Sequence, residues 1–195
     1  MINGINSREM ILEILLEIEE GEHSHVAIRN ALSKYQFLPK QDRAFITRVC
    51  EGTLEYRIQI DYIINSFSKV TVDKMKPAIR EILRSAVYQL KYMDSVPDSA
   101  VCNEAVKLAQ RKGFYNLKPF VNGVLRTIAR EMDQVRFPQK EDDLLKYLSV
   151  KYSMPEVLVT RWLEAYGEET TEKILADFLM EHPLTIRCRT YLNSK

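Results

Sequence analysis

The chain has 195 residues, of which 46% are hydrophobic, so it can fold around a core and extended disorder is excluded. No stretch approaches the roughly 18 continuous apolar residues that a membrane span requires, and the N-terminus has no basic region followed by an apolar run. The three cysteines lie far apart without a CxxC spacing, which favours a reducing compartment. We therefore expect a cytosolic protein with no membrane partner.

The net charge is only +1, but it is unevenly distributed. Residues 71–130 carry 11 basic and 5 acidic side chains, whereas the segments on either side are mildly acidic. A cationic middle segment favours a polyanionic partner such as nucleic acid.

Apolar residues recur at helical spacing along the chain, and none of these segments alternates as a strand does. Asn6 is expected to cap the first helix, which Gly21 ends. Gly52 is expected to kink or break the third helix, and Gly123 to allow another helix close to the sixth. The predicted helices cover about 6–20, 23–34, 39–67, 75–93, 98–113, 117–133, 141–152, 155–166 and 169–181.

Residues 136–140 have the composition of a linker, because the residue before a proline is biased away from helix and the apolar periodicity restarts only at Leu144. We therefore predict an all-α chain with a helical bundle over 1–135 and a short helical connector over 136–195. From Pro183 the pattern changes, and Leu184–Arg187 is typical of the start of a strand.

Three motifs follow one another in the second half of the predicted bundle: Tyr88–Leu90, then Val96-Pro97 followed by Asn103–Ala109, then Phe120–Arg126. In order and spacing they resemble the helical signature of the NusB-like family. Asp42–Phe45 and Gly52–Leu54 are also similar to that family's middle helix. The resemblance covers about residues 7–133 and implies a NusB-like helical bundle.

Two branches of this family are candidates, the antitermination factors and the cytosine-C5 methyltransferases of small-subunit ribosomal RNA. Leu148–Pro155, Tyr166-Gly167 and Pro183–Arg187 resemble the connector that leads into the methyltransferase half. The first helix has only Arg8 where the antitermination branch is expected to have an arginine cluster. The resemblance therefore favours the methyltransferase branch.

That branch implies an RNA-binding domain that docks 16S ribosomal RNA for an S-adenosylmethionine-dependent methyltransferase. S-adenosylmethionine and the nucleophilic cysteine are expected in a downstream methyltransferase domain, which would also be a partner of this domain. Two alternatives stay open: an antitermination-type RNA-binding module, and a domain that docks only its own catalytic half.

No catalytic residue, metal ligand or cofactor site is predicted within these residues. His23 and His25 are typical of a surface turn, because no cysteine or carboxylate has a matching ligand spacing. Cys188 lies between two arginines but lacks the Pro-Cys context of the family's nucleophile. A glycine-rich loop after a strand is also missing from the sequence.

The candidate RNA-binding residues lie on three consecutive predicted helices. Lys118, Asn122, Arg126 and Arg130 recur every four residues on helix 117–133, and so share one helical face. Arginine and lysine suit phosphates, and an amide can read a base edge or a 2′-hydroxyl. A solvated outer face, with Asn122 in a structural hydrogen bond, is the alternative.

Two further cationic groups lie on the preceding helices. Lys76, Arg80 and Arg84 repeat the four-residue spacing on helix 75–93, and Tyr88 extends it. The alternative for this group is a solvated surface without a function. The second group, at the end of the next helix, is Lys107, Arg111 and Lys112. Its alternative is stabilisation of the negative C-terminal end of the helix dipole. The convergence of all the cationic groups within the cationic middle segment favours RNA binding.

Overall fold

The computed structural model describes residues 6–180 and Ile186. Over this part of the chain the fold is all-helical, as predicted, and contains no strand. None of its helices is long and apolar enough to cross a membrane. The α-helices are α1 (Ser7–Glu19), α2 (Ser24–Lys34), α3 (Lys40–Glu55), α4 (Arg57–Phe67), α5 (Pro77–Tyr92), α6 (Asp98–Arg111), α7 (Lys118–Glu131), α8 (Leu144–Lys151) and α9 (Glu156–Phe178), and short 3₁₀ turns cover Val72–Lys74, Tyr115–Leu117 and Met132–Gln134.

Helix α5 is the central element of the bundle formed by α1–α7. It contacts α1, α3, α4, α6 and α7, and every residue from Glu81 to Gln89 is buried. Pro77 lies in its first turn, where a missing backbone N–H costs nothing. Because α5 is enclosed on several sides, it buries polar as well as apolar side chains.

Two glycines have roles that differ from those expected. The predicted helix 39–67 is interrupted at Tyr56 (φ −95°, ψ 18°), so Gly52 lies inside α3 and does not break it. A Cβ at Gly52 would overlap the ring of Tyr88 on α5, so this glycine allows α3 and α5 to pack. Gly123 has no such role, because a Cβ there would meet no atom within 4 Å.

The connector consists of α8 and α9, which follow a non-helical stretch between Gln134 and Leu144. Leu148, Val159 and Leu175 form a small core of their own. Gly167 (φ 74°, ψ 174°) has a non-helical backbone, so α9 consists of two helical segments that meet at a kink, as the predicted helices 155–166 and 169–181 require. The division of the chain near residue 135 stays a prediction, and the predicted strand at 184–187 lies outside the described residues except for Ile186.

The connector is fixed to the bundle by Gln59 of α4, a buried side chain. Its Nε2 donates to the backbone carbonyls of Val150 and Lys151, at 3.1 Å in each case. Its Oε1 accepts from Lys91 Nζ and from the Tyr92 hydroxyl. One amide therefore links α4, the end of α5 and the end of α8, and we call this contact the junction.

Candidate nucleic-acid interface

Helix α7 buries one side against the bundle and presents polar residues beside it. Arg126 and Arg130 are exposed, whereas Lys118 and Asn122 are half-buried. These four residues, called the α7 face below, share one side of the helix as the spacing predicts. The buried residues next to them are Val121, Val124, Leu125 and Ile128.

The charges of the α7 face are only partly compensated. Two N–H groups of Arg130 donate to Oε1 of Glu131, at 3.0 and 2.6 Å. Arg126 Nε donates to Asn122 Oδ1 at 2.9 Å, which orients the amide. Within the described part of the chain, neither Lys118 nor Arg126 has an ion pair. Since Arg130 is paired, the α7 face offers the two cations Lys118 and Arg126 and the oriented amide of Asn122 to an anionic partner.

Arg84 is not a surface residue, and its place in the predicted cationic stripe on α5 is wrong. It is 9% exposed. Its Nε and Nη2 donate to the two carboxylate oxygens of Asp61, at 2.7 and 2.6 Å, and Nη1 donates to Glu81 at 2.6 Å. Tyr88, the next position along the stripe, is also buried. Helical spacing put these residues on one face, but the face turns inward because α5 is central.

The other two members of the α5 stripe differ from each other. Arg80 binds Glu19 of α1 and donates to the carbonyl of Val72 at 3.2 Å, so its charge is also compensated within the fold. Lys76 is exposed, with Nζ 5.4 Å from the ring centroid of Phe114. Of the three cations in this predicted stripe, only Lys76, which immediately precedes α5, is available to a partner.

The cations at the end of α6 face glutamates of α1. Lys112 Nζ lies 3.1 Å from Glu13 and 3.7 Å from Glu9, and Arg111 lies 3.7 Å from Glu9. Lys107 pairs with Glu104 one turn away, at 2.7 Å. Exposed ion pairs of this kind are weak, but they offset part of the positive charge that would attract a phosphate group.

The three predicted groups therefore lie on helices that touch one another but do not form a single cationic surface. Helices α5, α6 and α7 are in mutual contact, as their order in the chain predicts. Carboxylate partners within the fold neutralise the charges of Arg80 and Arg84, which are therefore not available to a phosphate. Weaker exposed pairs partly offset the charges of Lys107, Arg111, Lys112 and Arg130. The α7 face, at Lys118, Asn122 and Arg126, keeps the least compensated charge of the three groups.

Lys91, at the junction, is a cation that sequence analysis did not select. Its Nζ lies 4.9 Å from the ring centroid of Phe137 and 5.2 Å from that of Tyr92, and burial lowers its pKa to about 8. A small pocket of about 260 Å³ lies against it, lined also by Tyr147 and Lys151. In the sequence, Lys91 is a lysine near the end of a helix, a position that is equally typical of stabilisation of the helix dipole and so did not mark it as a site residue.

The described cysteines and histidines do not form a reactive or metal-binding site. Cys50 and Cys102 are buried free thiols, and burial raises the pKa of both. His23 and His25 are exposed and stacked on each other, with ring centroids 5.9 Å apart. Among the residues described, no group of three or more potential ligands could hold a metal ion. Cys188 lies outside the described residues.

The fold and the α7 face together define an all-helical bundle domain, built around one central helix and carrying a partly cationic flank and a helical connector. Comparison with known proteins gives the family. The NusB family matches residues 5–130, and the chain belongs to that family.

The relatives fall into the two branches expected from the sequence motifs. A probable ribosomal RNA small subunit methyltransferase B of Bacillus subtilis is 34% identical over 180 residues, which are 92% of this chain and 40% of that protein. The transcription antitermination protein NusB of Dictyoglomus thermophilum is 33% identical over 130 residues, 66% of this chain and 85% of that protein. The chain thus spans less than half the length of the methyltransferase relative.

A solved structure has the same fold. It is the crystal structure of the antitermination factors NusB and NusE in complex with dsRNA, one chain of which is 21% identical with a TM-score of 0.59. The match covers 64% of this chain and 93% of that chain.

Proposed function

We propose that this chain is the RNA-docking domain of an S-adenosylmethionine-dependent methyltransferase that modifies cytosine C5 in 16S ribosomal RNA, in the cytoplasm. The support is the extent of the match to the methyltransferase relative, which covers 92% of this chain and therefore both the bundle and the connector. In this proposal the cofactor and the chemistry belong to a downstream methyltransferase domain. The bundle contributes binding and orientation of the substrate.

The observation that carries the RNA-docking role is the α7 face. Lys118 and Arg126 flank an amide, and neither cation has an ion pair within the described part of the chain. Cations without internal partners displace counterions from a phosphate backbone when they bind it. The Asn122 amide, oriented by Arg126, can contact a base edge or a 2′-hydroxyl.

The test is binding of a 16S ribosomal RNA fragment to the chain and to the double charge reversal Lys118→Glu with Arg126→Glu. We expect affinity to fall by at least about tenfold, as loss of two phosphate contacts implies. Lys146→Glu with Lys173→Glu is the control of equal charge change, because both lysines are exposed on the connector helices and, among the described residues, Lys173 pairs with Glu169 alone. Equal affinity of the double variant and the control would contradict the docking role of the α7 face.

The second candidate is an antitermination-type module that assembles with a ribosomal protein on a leader RNA. It is favoured by the match to the antitermination protein, of which the chain covers 85% at 33% identity. Competition between the two RNAs separates the candidates. Preference for a leader RNA that increases when a ribosomal protein is added would support the second candidate, and preference for the 16S fragment without that protein would support the first.

A further inference from the structure

A second surface of the bundle has chemistry opposite to that of the α7 face. An open groove of about 750 Å³ runs between α3 and α5 and is bounded on another side by Leu179 and Met180 at the end of the connector. Its walls carry two glutamates and three tyrosines. The RNA-docking proposal does not use this groove, although the motif residues Ala44, Gly52 and Tyr88 line it.

The floor of the groove is a stack of tyrosine rings. The centroid of the Tyr92 ring lies 4.3 Å from that of Tyr56 and 5.3 Å from that of Tyr88. Gly52 is the position that allows this arrangement, because any side chain there would overlap Tyr88. The three rings form an aromatic cluster, and aromatic rings attract cations and planar groups.

Two hydroxyl groups in the groove have no partner in the described part of the chain. The Tyr92 hydroxyl donates to Gln59, but the hydroxyls of Tyr56 and Tyr88 make no hydrogen bond. Tyr88 is 6% exposed, and the small part of it that is accessible lines the groove. The hydroxyls of Tyr56 and Tyr88 are therefore available to hydrogen-bond a ligand that fills the groove.

The wall contributed by α3 is acidic. Glu51 and Glu55 are exposed, lie one helical turn apart and have no ion pair among the described residues. Burial and then the charge of Glu51 raise the pKa of Glu55, as expected for like charges at this spacing. Arg48 is the one cation on this wall, and its Nη2 donates to the backbone carbonyl of Tyr92 at 3.4 Å. Arg48 forms no ion pair with either glutamate among the described residues, and the two carboxylates outnumber this one cation in the groove.

We propose that this groove is a docking site for an arginine side chain of a partner protein. The guanidinium would lie against the aromatic cluster at Tyr56 and donate hydrogen bonds to Glu51, Glu55 and the free tyrosine hydroxyls. Arginine fits better than lysine because it is planar and carries five N–H donors that a stack of rings and several acceptors can satisfy together. Nucleic acid is disfavoured here, since the carboxylates outnumber the single arginine of the groove and repel phosphate. The α7 face and this groove thus divide the surface between RNA and protein.

To test this, the chain is titrated at low ionic strength with two short peptides. Their flanking residues are uncharged, and the two differ at one position, which is arginine in one peptide and glutamine in the other. Amide signals of α3 and α5 are followed by NMR. We expect saturable shifts with the arginine peptide, about tenfold weaker binding for Glu51→Gln with Glu55→Gln, and unchanged binding for Glu17→Gln with Glu20→Gln. The control pair changes net charge equally on exposed positions of α1 and its C-cap. Equal binding of both peptides, or an equal loss in the control pair, would overturn the proposal.

The same variants separate this proposal from the RNA-docking function. Glu51→Gln with Glu55→Gln leaves the α7 face intact, so its affinity for the 16S fragment should equal that of the parent chain within about twofold. Loss of RNA binding in this variant, or shifts of the groove signals by RNA alone, would mean that the groove serves RNA and would contradict arginine docking. Failure of the α7-face variant to weaken RNA binding would count only against the proposed function.

Discussion

Arg84 and Asp61 form a bidentate ion pair inside the bundle, where the guanidinium of α5 meets both carboxylate oxygens of an α4 residue at 2.6 and 2.7 Å. Glu81 receives a third hydrogen bond from the same guanidinium. Burial raises the pKa of Glu81 against the opposing effect of Arg84. One arginine therefore holds two carboxylates and fixes α4 against α5.

Arg84→Met should destabilise the chain strongly. It leaves Asp61 and Glu81 without their cation in a largely buried place, and removing one partner of such an arrangement costs about 3–5 kcal/mol. Urea unfolding followed by circular dichroism measures the free energy of unfolding. Arg126→Met is the matched control, because Arg126 is exposed and should change stability by no more than about 0.5 kcal/mol. Equal stability of the two variants would show that the Arg84 ion pair has no structural role.

The contrast between Arg84 and Arg126 shows what the sequence alone could not decide. Both belong to cationic stripes of four-residue spacing, and spacing fixes only which residues share a helical face. Whether that face meets solvent depends on the number of helices around it, and α5 is enclosed whereas α7 is not. The partners Asp61 and Glu19 are far from α5 in the chain, so no local pattern pointed to them. Helix positions were predictable because each depends on local apolar periodicity.

Gln59→Leu should loosen the connector. The variant loses both hydrogen bonds to the carbonyls of Val150 and Lys151 and leaves them unsatisfied, at a cost of about 1–3 kcal/mol. Hydrogen exchange of the α8 amides should become faster, while exchange in α1 changes little. Gln41→Leu, at an exposed position of α3, should leave both rates unchanged. Identical exchange of α8 in the Gln59 and Gln41 variants would exclude the junction as the fixing contact.

Two Gly→Ala substitutions within helices should have opposite effects. Gly52→Ala forces a methyl group into the ring of Tyr88, and overpacking of this kind costs about 1–3 kcal/mol. Gly123→Ala meets no atom within 4 Å and should stabilise α7 by about 0.4–1 kcal/mol through helix propensity and the entropy of the unfolded chain. Thermal unfolding of the two variants provides the comparison. Destabilisation of both would contradict the packing described for Gly123.

Lys91 should give the stability of the chain a particular dependence on pH. Burial lowers its folded-state pKa to about 8 from an ordinary 10.5, so the unfolded chain binds this proton more strongly. Between these two values the unfolded state carries more protons, and the contribution of Lys91 to the free energy of unfolding therefore rises with pH. Lys91→Met removes that contribution. The free energy of unfolding of this variant should therefore rise less between pH 8 and 10.5 than that of the parent chain. Lys69→Met, at an exposed position, is the control. Parallel curves for the parent chain and Lys91→Met would contradict the buried position of the amine.

The junction illustrates a second limit of sequence reasoning. Gln59, Lys91 and Val150 lie on three different helices, and each looked ordinary in its own segment. A single amide that donates to two carbonyls and accepts from two donors produces no periodic pattern in the amino-acid sequence. The connector was recognisable from its linker and its motifs, but its attachment to the bundle required the tertiary structure.

The most direct test of the central claim is the salt dependence of 16S RNA binding by the chain and by Lys118→Gln with Arg126→Gln. Each phosphate contact made by a cation adds about one to the slope of log affinity against log salt concentration. We predict that the double variant binds more weakly and that its slope is smaller by about two. An unchanged slope, with wild-type affinity at every salt concentration, would contradict the assignment of the α7 face as the RNA-docking surface.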